Sequence, residues 1–428
     1  MELNIDYVRE KFPALEQQVR GEPAAFFDGP GGTQVPRRVI EAMENYFKNS
    51  NANKGGHFKT SRLSDEKIKK SREALSDFLG CRPEEVALGE NMTTLNYRLA
   101  FALGKKLEEG DEIIISELDH EANRQPWLDL QKQGIKVREI KVNPDTCTLD
   151  HQDFASKLCN KTEIVAITHA SNAVGTIPPV RKMVKAAQKV GALTIIDAVH
   201  YALHGPIDVK KLDCDFLLCS TYKFFGPHLG VMYGKKSSFQ QIEPYRLRPQ
   251  SADIPYRIER GTTNHEGIAG AKAAVEFIAD LGDKFAAENK NRKEAEEAKT
   301  DETGSKESQR RQNVVAAMEL IDEYESPLAE KIAEEISQLE STRVYRPPTT
   351  FPSTSTVSFV DQNLSSREIA AELGDRGIFV WNGDFYATTL VERLGEADSG
   401  GLVRIGLAPY NTDAEVDRLL ASIKDIIN

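Results

Sequence analysis

From residue 112 to residue 219, short apolar segments alternate with amphipathic ones, and this alternation restricts the possible folds more than any other feature of the chain. Strands are predicted at 112–116, 137–142, 163–168, 193–196 and 215–219, with helices at 125–132, 153–159 and 180–190 between some of them. Because helical crossovers join parallel strands, the pattern predicts a mostly parallel sheet with helices on both faces. The predicted fold class is α/β.

The composition changes in the second half of the chain. Residues 284–311 are almost wholly charged or small, so this stretch cannot bury a core and is predicted to be a solvent-exposed helix or a disordered insertion. After it, a long helix, strands around 355–360, 378–381 and 402–407, and a final helix at 413–427 predict a smaller α+β domain. We therefore divide the chain into an N-terminal segment (1–25), a large domain (26–282), a charged insertion (283–312) and a small C-terminal domain (313–428).

The net charge, cysteine content and hydropathy of this 428-residue chain argue against several classes of protein. A formal net charge of −11 does not suit a nucleic-acid or anionic-membrane partner. The five cysteines are odd in number and lack CxxC spacing, which suggests neither a disulfide framework nor a metal site and favours a reducing compartment. The N-terminus has no signal-peptide pattern, and no long uncharged apolar stretch occurs elsewhere. We expect a soluble cytoplasmic protein.

Lys223 follows the last of the predicted strands and precedes the turn residues Gly226 and Pro227. Open α/β sheets bind ligands at the carboxyl ends of their strands, so Lys223 is placed where a ligand would lie. Desolvation favours the neutral amine, which can form a Schiff base with an aldehyde, and this chemistry suggests pyridoxal phosphate. For Lys223 alone, a side chain that reaches from a strand end to solvent is the simpler interpretation.

Asp197 makes the cofactor interpretation stronger. It ends the strand at 193–196, about one βα unit before Lys223. A carboxylate at a buried strand end needs a cationic partner, and the pyridinium nitrogen of pyridoxal phosphate would serve, with the charged ring as an electron sink. The alternative is an aspartate that caps the next helix.

Thr93 and Thr94 begin a predicted helix and offer hydroxyls beside free backbone N–H groups at the positive end of the helix dipole. This combination predicts a phosphate site. Capping explains one threonine and leaves the second unexplained. The glycine-rich loop at 28–33 could also approach a ligand, although glycine serves any tight turn.

Taken together, the chain resembles the class V aminotransferase group of fold-type I pyridoxal-phosphate enzymes, and the cysteine desulfurases of iron–sulfur assembly in particular. The resemblance covers nearly the whole chain apart from the charged insertion. It rests on Asp119-His120-Glu121-Ala122-Asn123, on the loop at 171–176, on Asp197 and Lys223, and on the segment at 403–412. It implies that the large domain binds pyridoxal phosphate.

The resemblance also implies a role for each matching residue. His120 would stack on the cofactor ring, and Asn172 would hydrogen-bond its phenolic oxygen. The phosphate would be held by Thr93, Thr94 and Ser220, with Thr262 supplied by the partner subunit of a homodimer. Arg404 matches the arginine that clamps the substrate carboxylate. His200 and Tyr222 stand where the family usually has glutamine and histidine, and both keep a hydrogen-bonding side chain.

One departure from the family pattern changes the expected chemistry. A desulfurase carries its sulfur-accepting cysteine on a mobile loop, in a Gly-His-His-Cys-Ala context. This chain has Gly383-Asp384-Phe385-Tyr386-Ala387 there, with Tyr386 in the cysteine's place beside the substrate. None of the five cysteines lies in that loop, and Cys219, near Lys223, belongs to a predicted buried strand.

We therefore expect a pyridoxal-phosphate enzyme that acts on an amino acid and cleaves a carbon–sulfur bond by β-elimination, which needs no persulfide-carrying cysteine. The predicted catalytic residues are Lys223, Asp197 and His120, with Lys223 as the base at the α-carbon. Transamination is an alternative, as is epimerisation, because the isopenicillin N epimerases also have histidine at the position of His200. From another class, the protein could bind the cofactor without turnover, although a carboxylate clamp has little use there.

Overall fold

The computed structural model describes residues 3–286 and 307–427. Its strands are β1 (Gln18–Val19), β2 (Glu22–Pro23), β3 (Ala25–Phe26), β4 (Val86–Gly89), β5 (Glu112–Ser116), β6 (Lys136–Ile140), β7 (Val142–Asn143), β8 (Thr148–Leu149), β9 (Thr162–Thr168), β10 (Leu193–Asp197), β11 (Phe216–Ser220), β12 (Gly230–Gly234), β13 (Thr342–Tyr345), β14 (Thr356–Asp361), β15 (Ile378–Phe379), β16 (Trp381–Gly383) and β17 (Leu402–Gly406).

Its α-helices are α1 (Ile5–Arg9), α2 (Arg37–Ser50), α3 (Lys59–Leu79), α4 (Met92–Gly104), α5 (Gln125–Leu128), α6 (His151–Lys157), α7 (Val180–Lys189), α8 (Val209–Leu212), α9 (Lys236–Gln241), α10 (His265–Ala286), α11 (Gln309–Ser337), α12 (Ser366–Asp375), α13 (Thr388–Leu394) and α14 (Asp413–Ile427). None of these helices is both long and apolar enough to cross a membrane.

The large sheet has seven strands in the order β4–β12–β11–β10–β9–β5–β6. The strands from β11 to β6 run parallel, whereas β12 is antiparallel to both of its neighbours. Alternate residues of one strand enter different cores: Ile114 packs in the core on one face, and Ile113 and Ile115 pack in the core on the other. Burial on both faces explains the continuous apolar runs in the sequence. The predicted α/β fold with a mostly parallel sheet is confirmed.

A smaller antiparallel sheet in the order β13–β14–β17–β16 packs against α11, α12 and α14. The single strand predicted at 378–381 is wrong, because the structure has two short strands there. β15 pairs in parallel with β3, and β16 pairs with β17. The first of these pairings ties the segment around residue 25 to the small domain.

The predicted charged insertion, 283–312, falls mainly on residues 287–306, which lie outside the described residues. Its ends belong to α10 and α11. These helices touch so closely that a Cβ on Gly282 would lie 1.8 Å from the carbonyl oxygen of Asn313. Arg311 is buried there and donates to the carbonyl oxygen of Phe78 at 2.9 Å. The four domain limits drawn from composition stay a prediction.

Candidate active site

The carboxyl ends of three neighbouring parallel strands open into a cavity of about 660 Å³. Thr168, Asp197 and Ser220, the last residues of β9, β10 and β11, all line it. Most of the residues singled out in the sequence lie in its wall: Thr93, His120, Asn172, Asp197, His200, Ser220, Tyr222, Lys223, Tyr386 and Arg404. Thr94 and Thr262 do not line it. Strand ends and a loop of the small domain thus meet at one site.

Lys223 ends a short 3₁₀ turn directly after β11. Its ammonium group donates to the carbonyl oxygen of Pro30, so it is turned onto the glycine-rich loop. Burial, reinforced by the positive charge of Arg404, lowers the pKa of Lys223 to about 7, against the opposing effect of the Asp197 and Asp28 carboxylates. A large fraction of this amine is therefore neutral near pH 7 and able to act as a nucleophile or base.

The Asp197 carboxyl group is 4% exposed at the end of β10. It accepts a hydrogen bond from the backbone N–H of Val199 at 2.9 Å. Burial raises its pKa to about 6, although this hydrogen bond and the Lys223 charge act in the opposite direction. A carboxyl group desolvated in this way would be stabilised as an anion by a cation bound in the cavity.

His120 begins the 3₁₀ turn Glu121–Asn123, and its Nδ1 accepts from the N–H of Ala122 at 2.9 Å. Burial, together with the charges of Lys223 and Arg404, lowers the pKa of His120 to about 4. The ring is therefore neutral at pH 7 and carries its proton on Nε2. It stacks on Tyr386, with the ring centroids 5.6 Å apart.

The N-terminus of α4 supplies polar groups to the cavity through Asn91, Met92 and Thr93. Ser220 Oγ accepts from the Met92 N–H at 3.0 Å, so this hydroxyl joins β11 to the helix. Thr94 serves as part of the cap instead, because its N–H and hydroxyl both donate to Asn91 Oδ1 at 2.8 and 2.9 Å. Thr262 is exposed on the surface, outside the cavity.

His200 and Tyr222 occupy the sides of the cavity. His200 is buried, and its Nε2 lies 3.1 Å from Thr354 Oγ1 and 3.0 Å from Thr356 Oγ1, which links the two domains. Burial, then the charges of His204, Lys223 and Arg404, holds the pKa of His200 well below its ordinary value. The ring is thus a neutral hydrogen-bonding group at pH 7.

Arg404 lies in β17, is 4% exposed, and donates through Nη1 to the carbonyl oxygen of Asn172 at 2.9 Å. Its guanidinium group sits over the ring of Phe385, 4.1 Å from the centroid. Burial lowers its pKa to about 9, against the raising effect of Asp28 and Tyr222. Arg404 therefore stays cationic at pH 7 and suits a carboxylate ligand.

Hydrogen bonds from the large domain hold the segment 383–387 in place. Asn172 Nδ2 donates to the Phe385 carbonyl oxygen at 2.9 Å, and the N–H of Glu121 donates to the Tyr386 carbonyl oxygen at 2.7 Å. Phe385 and Tyr386 have φ angles of +57° and +56°, a conformation that residues other than glycine seldom adopt. Tyr386 is 72% exposed, so its ring stands at the mouth of the cavity.

Sequence reasoning missed two residues of the site: Trp381, which lines the cavity, and Asp28, whose charge interacts with Arg404 and Lys223. Burial raises the pKa of Asp28 to about 6, while the charges of Arg404 and Lys223 lower it, so this carboxyl group belongs to the same electrostatic cluster. It follows the apolar residues Phe26 and Phe27, the same pattern of an acid after a strand that marked Asp197.

The glycine-rich loop has a packing role that its sequence did not reveal. A Cβ on Gly31 would lie 2.4 Å from Trp381 Nε1, and one on Gly32 would lie 3.1 Å from the ring of Tyr222. These glycines make room for two aromatic side chains of the cavity wall.

These residues fit pyridoxal phosphate. Lys223 is a partly neutral amine, and Asp197 is a buried carboxyl group in need of a cation. The N-terminus of α4, with Thr93 and Ser220 beside it, supplies donors for a phosphate.

Comparison with known proteins decides the family. A model of the class V aminotransferase family matches residues 25–313 and 314–419. The chain belongs to the class V aminotransferase family. Members of this family are enzymes that depend on pyridoxal phosphate, in agreement with the resemblance found in the sequence.

Among class V relatives, a "Probable cysteine desulfurase" of Halalkalibacterium halodurans is 29% identical over 439 residues, covering 99% of this chain and 98% of the relative. A cysteine desulfurase of Salmonella agona is 29% identical over 444 residues, covering 100% and 99%. The apo cysteine desulfurase structure from Thermococcus onnurineus NA1 aligns with a TM-score of 0.85 at 26% identity, covering 100% of this chain and 98% of that one. This similarity confirms the fold of a class V enzyme.

Proposed function

We propose that this protein is a pyridoxal-phosphate enzyme that cleaves the carbon–sulfur bond of an amino acid by β-elimination. The observation that carries the proposal is the joint presence of Lys223, Asp197 and Arg404 in one cavity whose described wall contains no cysteine. The relatives named cysteine desulfurases support carbon–sulfur chemistry over transamination, epimerisation or binding without turnover.

In the proposed reaction, Arg404 binds the substrate carboxylate and Lys223 removes the proton from the α-carbon. The bound cofactor would supply the electron sink that makes this proton acidic, with Asp197 holding the pyridinium proton and His120 covering the ring. The electron pair then forms a Cα–Cβ double bond as the Cβ–S bond breaks. The thiolate leaves with the bonding electrons and takes a proton from the Tyr386 phenol. The proton that Lys223 accepted then passes through solvent to the Tyr386 phenolate, which restores both groups, and water converts the released enamine to pyruvate and ammonium.

The positions of the cysteines support elimination over transfer of sulfur to the protein. Cys147, Cys214 and Cys219 are buried, and burial raises the pKa of each thiol. Cys81 and Cys159 are half-buried and do not line the cavity. The thiolate is the nucleophilic form of cysteine, so none of these residues suits the attack on substrate sulfur that a desulfurase requires.

We also propose that the enzyme is a cytoplasmic homodimer. The cysteines are all free, which suits a reducing compartment. Thr262 is exposed and outside the cavity of its own chain, as expected for a phosphate ligand that would serve the partner's site. Light scattering at several concentrations, with Thr262→Ala compared for cofactor affinity, tests this arrangement.

Product analysis tests the reaction type. The purified holoenzyme is given L-cysteine, S-alkyl-L-cysteines and a panel of other L-amino acids, and pyruvate, alanine, sulfide and keto acids are all measured. We expect pyruvate from sulfur-containing amino acids. Alanine with a protein-bound persulfide would instead indicate a desulfurase, and conversion of an added α-keto acid to its amino acid would indicate an aminotransferase.

A further inference from the structure

Trp381 stands beside the carboxylate clamp. It is the register partner of Arg404 on the neighbouring antiparallel strand. Side chains of such a pair point to the same face of the sheet with their Cβ atoms about 5 Å apart. A substrate whose carboxylate is held by Arg404 therefore has an indole ring as its neighbour.

Packing holds the indole ring of Trp381 in place but does not cover it. Gly31 packs against the indole so closely that its Cβ would meet Trp381 Nε1 at 2.4 Å. Trp381 is nevertheless 52% exposed while it lines the cavity, and Tyr386 at the mouth is 72% exposed. Large apolar faces open to water beside a binding site gain free energy when a ligand covers them.

The charges of the cavity limit what that ligand can carry. In the described wall the only lysine and arginine side chains are Lys223 and Arg404. A large fraction of the Lys223 amine is neutral near pH 7, and Arg404 would bind the α-carboxylate. The rim adds the carboxyl groups of Glu121 and Asp384. A second carboxylate on the substrate would meet these acids with no free cation to pair with, which disfavours acidic substituents.

We infer that the preferred substrate is an L-cysteine thioether whose sulfur bears a neutral, planar apolar group such as benzyl, and that Trp381 selects it by packing against that group. The inference rests on the proposed function and specifies its substrate class. A free thiol or a methyl group would leave the indole exposed, whereas a benzyl group would cover it. The leaving group would then be an apolar thiol.

Binding to the holoenzyme tests the inference separately from turnover. Calorimetry measures the dissociation constants of α-methyl-L-cysteines that carry S-benzyl, S-methyl or S-carboxymethyl groups, because these analogues have no α-proton to lose. We expect the S-benzyl analogue to bind more than about tenfold more tightly than the S-methyl one, and the S-carboxymethyl analogue to bind most weakly. Trp381→Ala should remove the benzyl preference with little effect on the S-methyl analogue, and Trp381→Phe should keep most of it.

Three results would overturn the inference: equal affinity for the S-benzyl and S-methyl analogues, no detectable binding of the S-benzyl analogue, or a uniform loss of affinity in Trp381→Ala, which would indicate a structural role. Pyruvate release from S-benzyl-L-cysteine is measured in parallel. A benzyl preference in binding without pyruvate would refute β-elimination but would still support selection of the benzyl group by Trp381. Pyruvate without a benzyl preference would refute the inferred substrate class and the role of Trp381, and would leave β-elimination supported.

Discussion

The cavity has two walls of different construction. On one side are the ends of β9, β10 and β11, where Thr168, Asp197 and Ser220 are at most 5% exposed. On the other side is the segment 381–387 from the small domain, where Trp381 is 52% and Tyr386 is 72% exposed. The first wall holds side chains that end buried strands. The second consists of strand β16 and the turn after it, in which left-handed residues are held by hydrogen bonds to their carbonyl oxygens.

The difference between the walls separates reactivity from recognition. Burial is the largest cause of the pKa shifts of Lys223 and Asp197, so the reactive groups must lie where the protein excludes water. The exposed wall contributes little to the pKa shifts of Lys223 and Asp197. It instead offers surface for a substrate to cover. Beside the first wall the chain departs from the family pattern only by His200 and Tyr222, which keep a hydrogen-bonding side chain, whereas in the second wall Tyr386 replaces the sulfur-accepting cysteine. The wall that departs is thus the one that would determine which amino acid reacts.

Replacing Lys223 should have the largest effect. In Lys223→Ala, pyruvate formation from a sulfur-containing amino acid should fall by at least about 10³-fold, since a general base alone contributes about 10²–10⁴-fold. Lys223→Arg is the matched control: it keeps the positive charge but cannot become neutral, so it should be equally inactive. An active arginine variant would show that a neutral amine is not required.

Replacing Asp197 should cost less but still more than about a hundredfold in kcat, which corresponds to a loss of about 3 kcal/mol of transition-state stabilisation. Asp197→Asn keeps the shape and removes the charge that would hold the pyridinium proton. Asp28→Asn removes a half-buried carboxyl group that does not line the cavity, and should cost much less. Equal losses in the two variants would contradict a special role for Asp197.

The lowered pKa of Lys223 predicts how the cofactor-free protein takes up pyridoxal phosphate. Only the neutral amine reacts, so the uptake rate should rise with pH, reach half of its plateau near pH 7 and level off above it. Absorbance of the bound cofactor follows the reaction. Arg404→Ala removes a charge that lowers this pKa and should shift the midpoint upward, whereas Asp28→Asn should shift it downward. A rate that keeps rising to about pH 10 would indicate an ordinary exposed lysine.

Replacing Tyr386, in the exposed wall, should have a moderate effect that depends on the leaving group. Tyr386→Phe should slow elimination of an alkyl thiol by about tenfold, because the leaving thiolate loses its proton donor. An S-phenyl-L-cysteine substrate is the control, since an aryl thiolate leaves readily without a proton and should react at nearly the unchanged rate. Equal losses for both substrates would assign Tyr386 to binding instead.

Removing all five cysteines should have the smallest effect. With Cys147, Cys214 and Cys219 replaced by alanine and the two half-buried cysteines by serine, turnover should stay close to that of the unmodified protein. Thermal unfolding monitors the cost of the buried changes. If one replacement abolishes activity while the melting temperature is unchanged, that cysteine carries sulfur and elimination is not the mechanism.

Sequence reasoning was most successful where the chemistry is tied to strand ends. The apolar runs before Asp197 and before Lys223 are strands that are buried except at Leu193, and parallel pairing brings their ends together. It failed at 378–381, where an apolar run predicts one strand but its two halves pair with different partners. Periodicity reports that a residue is buried, and it carries no information about which strand lies alongside.

The sequence by itself determined the α/β class, the alternation that forms a parallel sheet, and the placement of an acid and a lysine at its ligand-binding edge. These follow from local patterns, because a buried strand is apolar and the first polar residue after the apolar run marks its end. Only the tertiary structure decided that Trp381 lies beside Arg404 and packs against Gly31. Strand register and the close approach of distant backbone set that contact, and neither is encoded in the residues next to Trp381 along the chain.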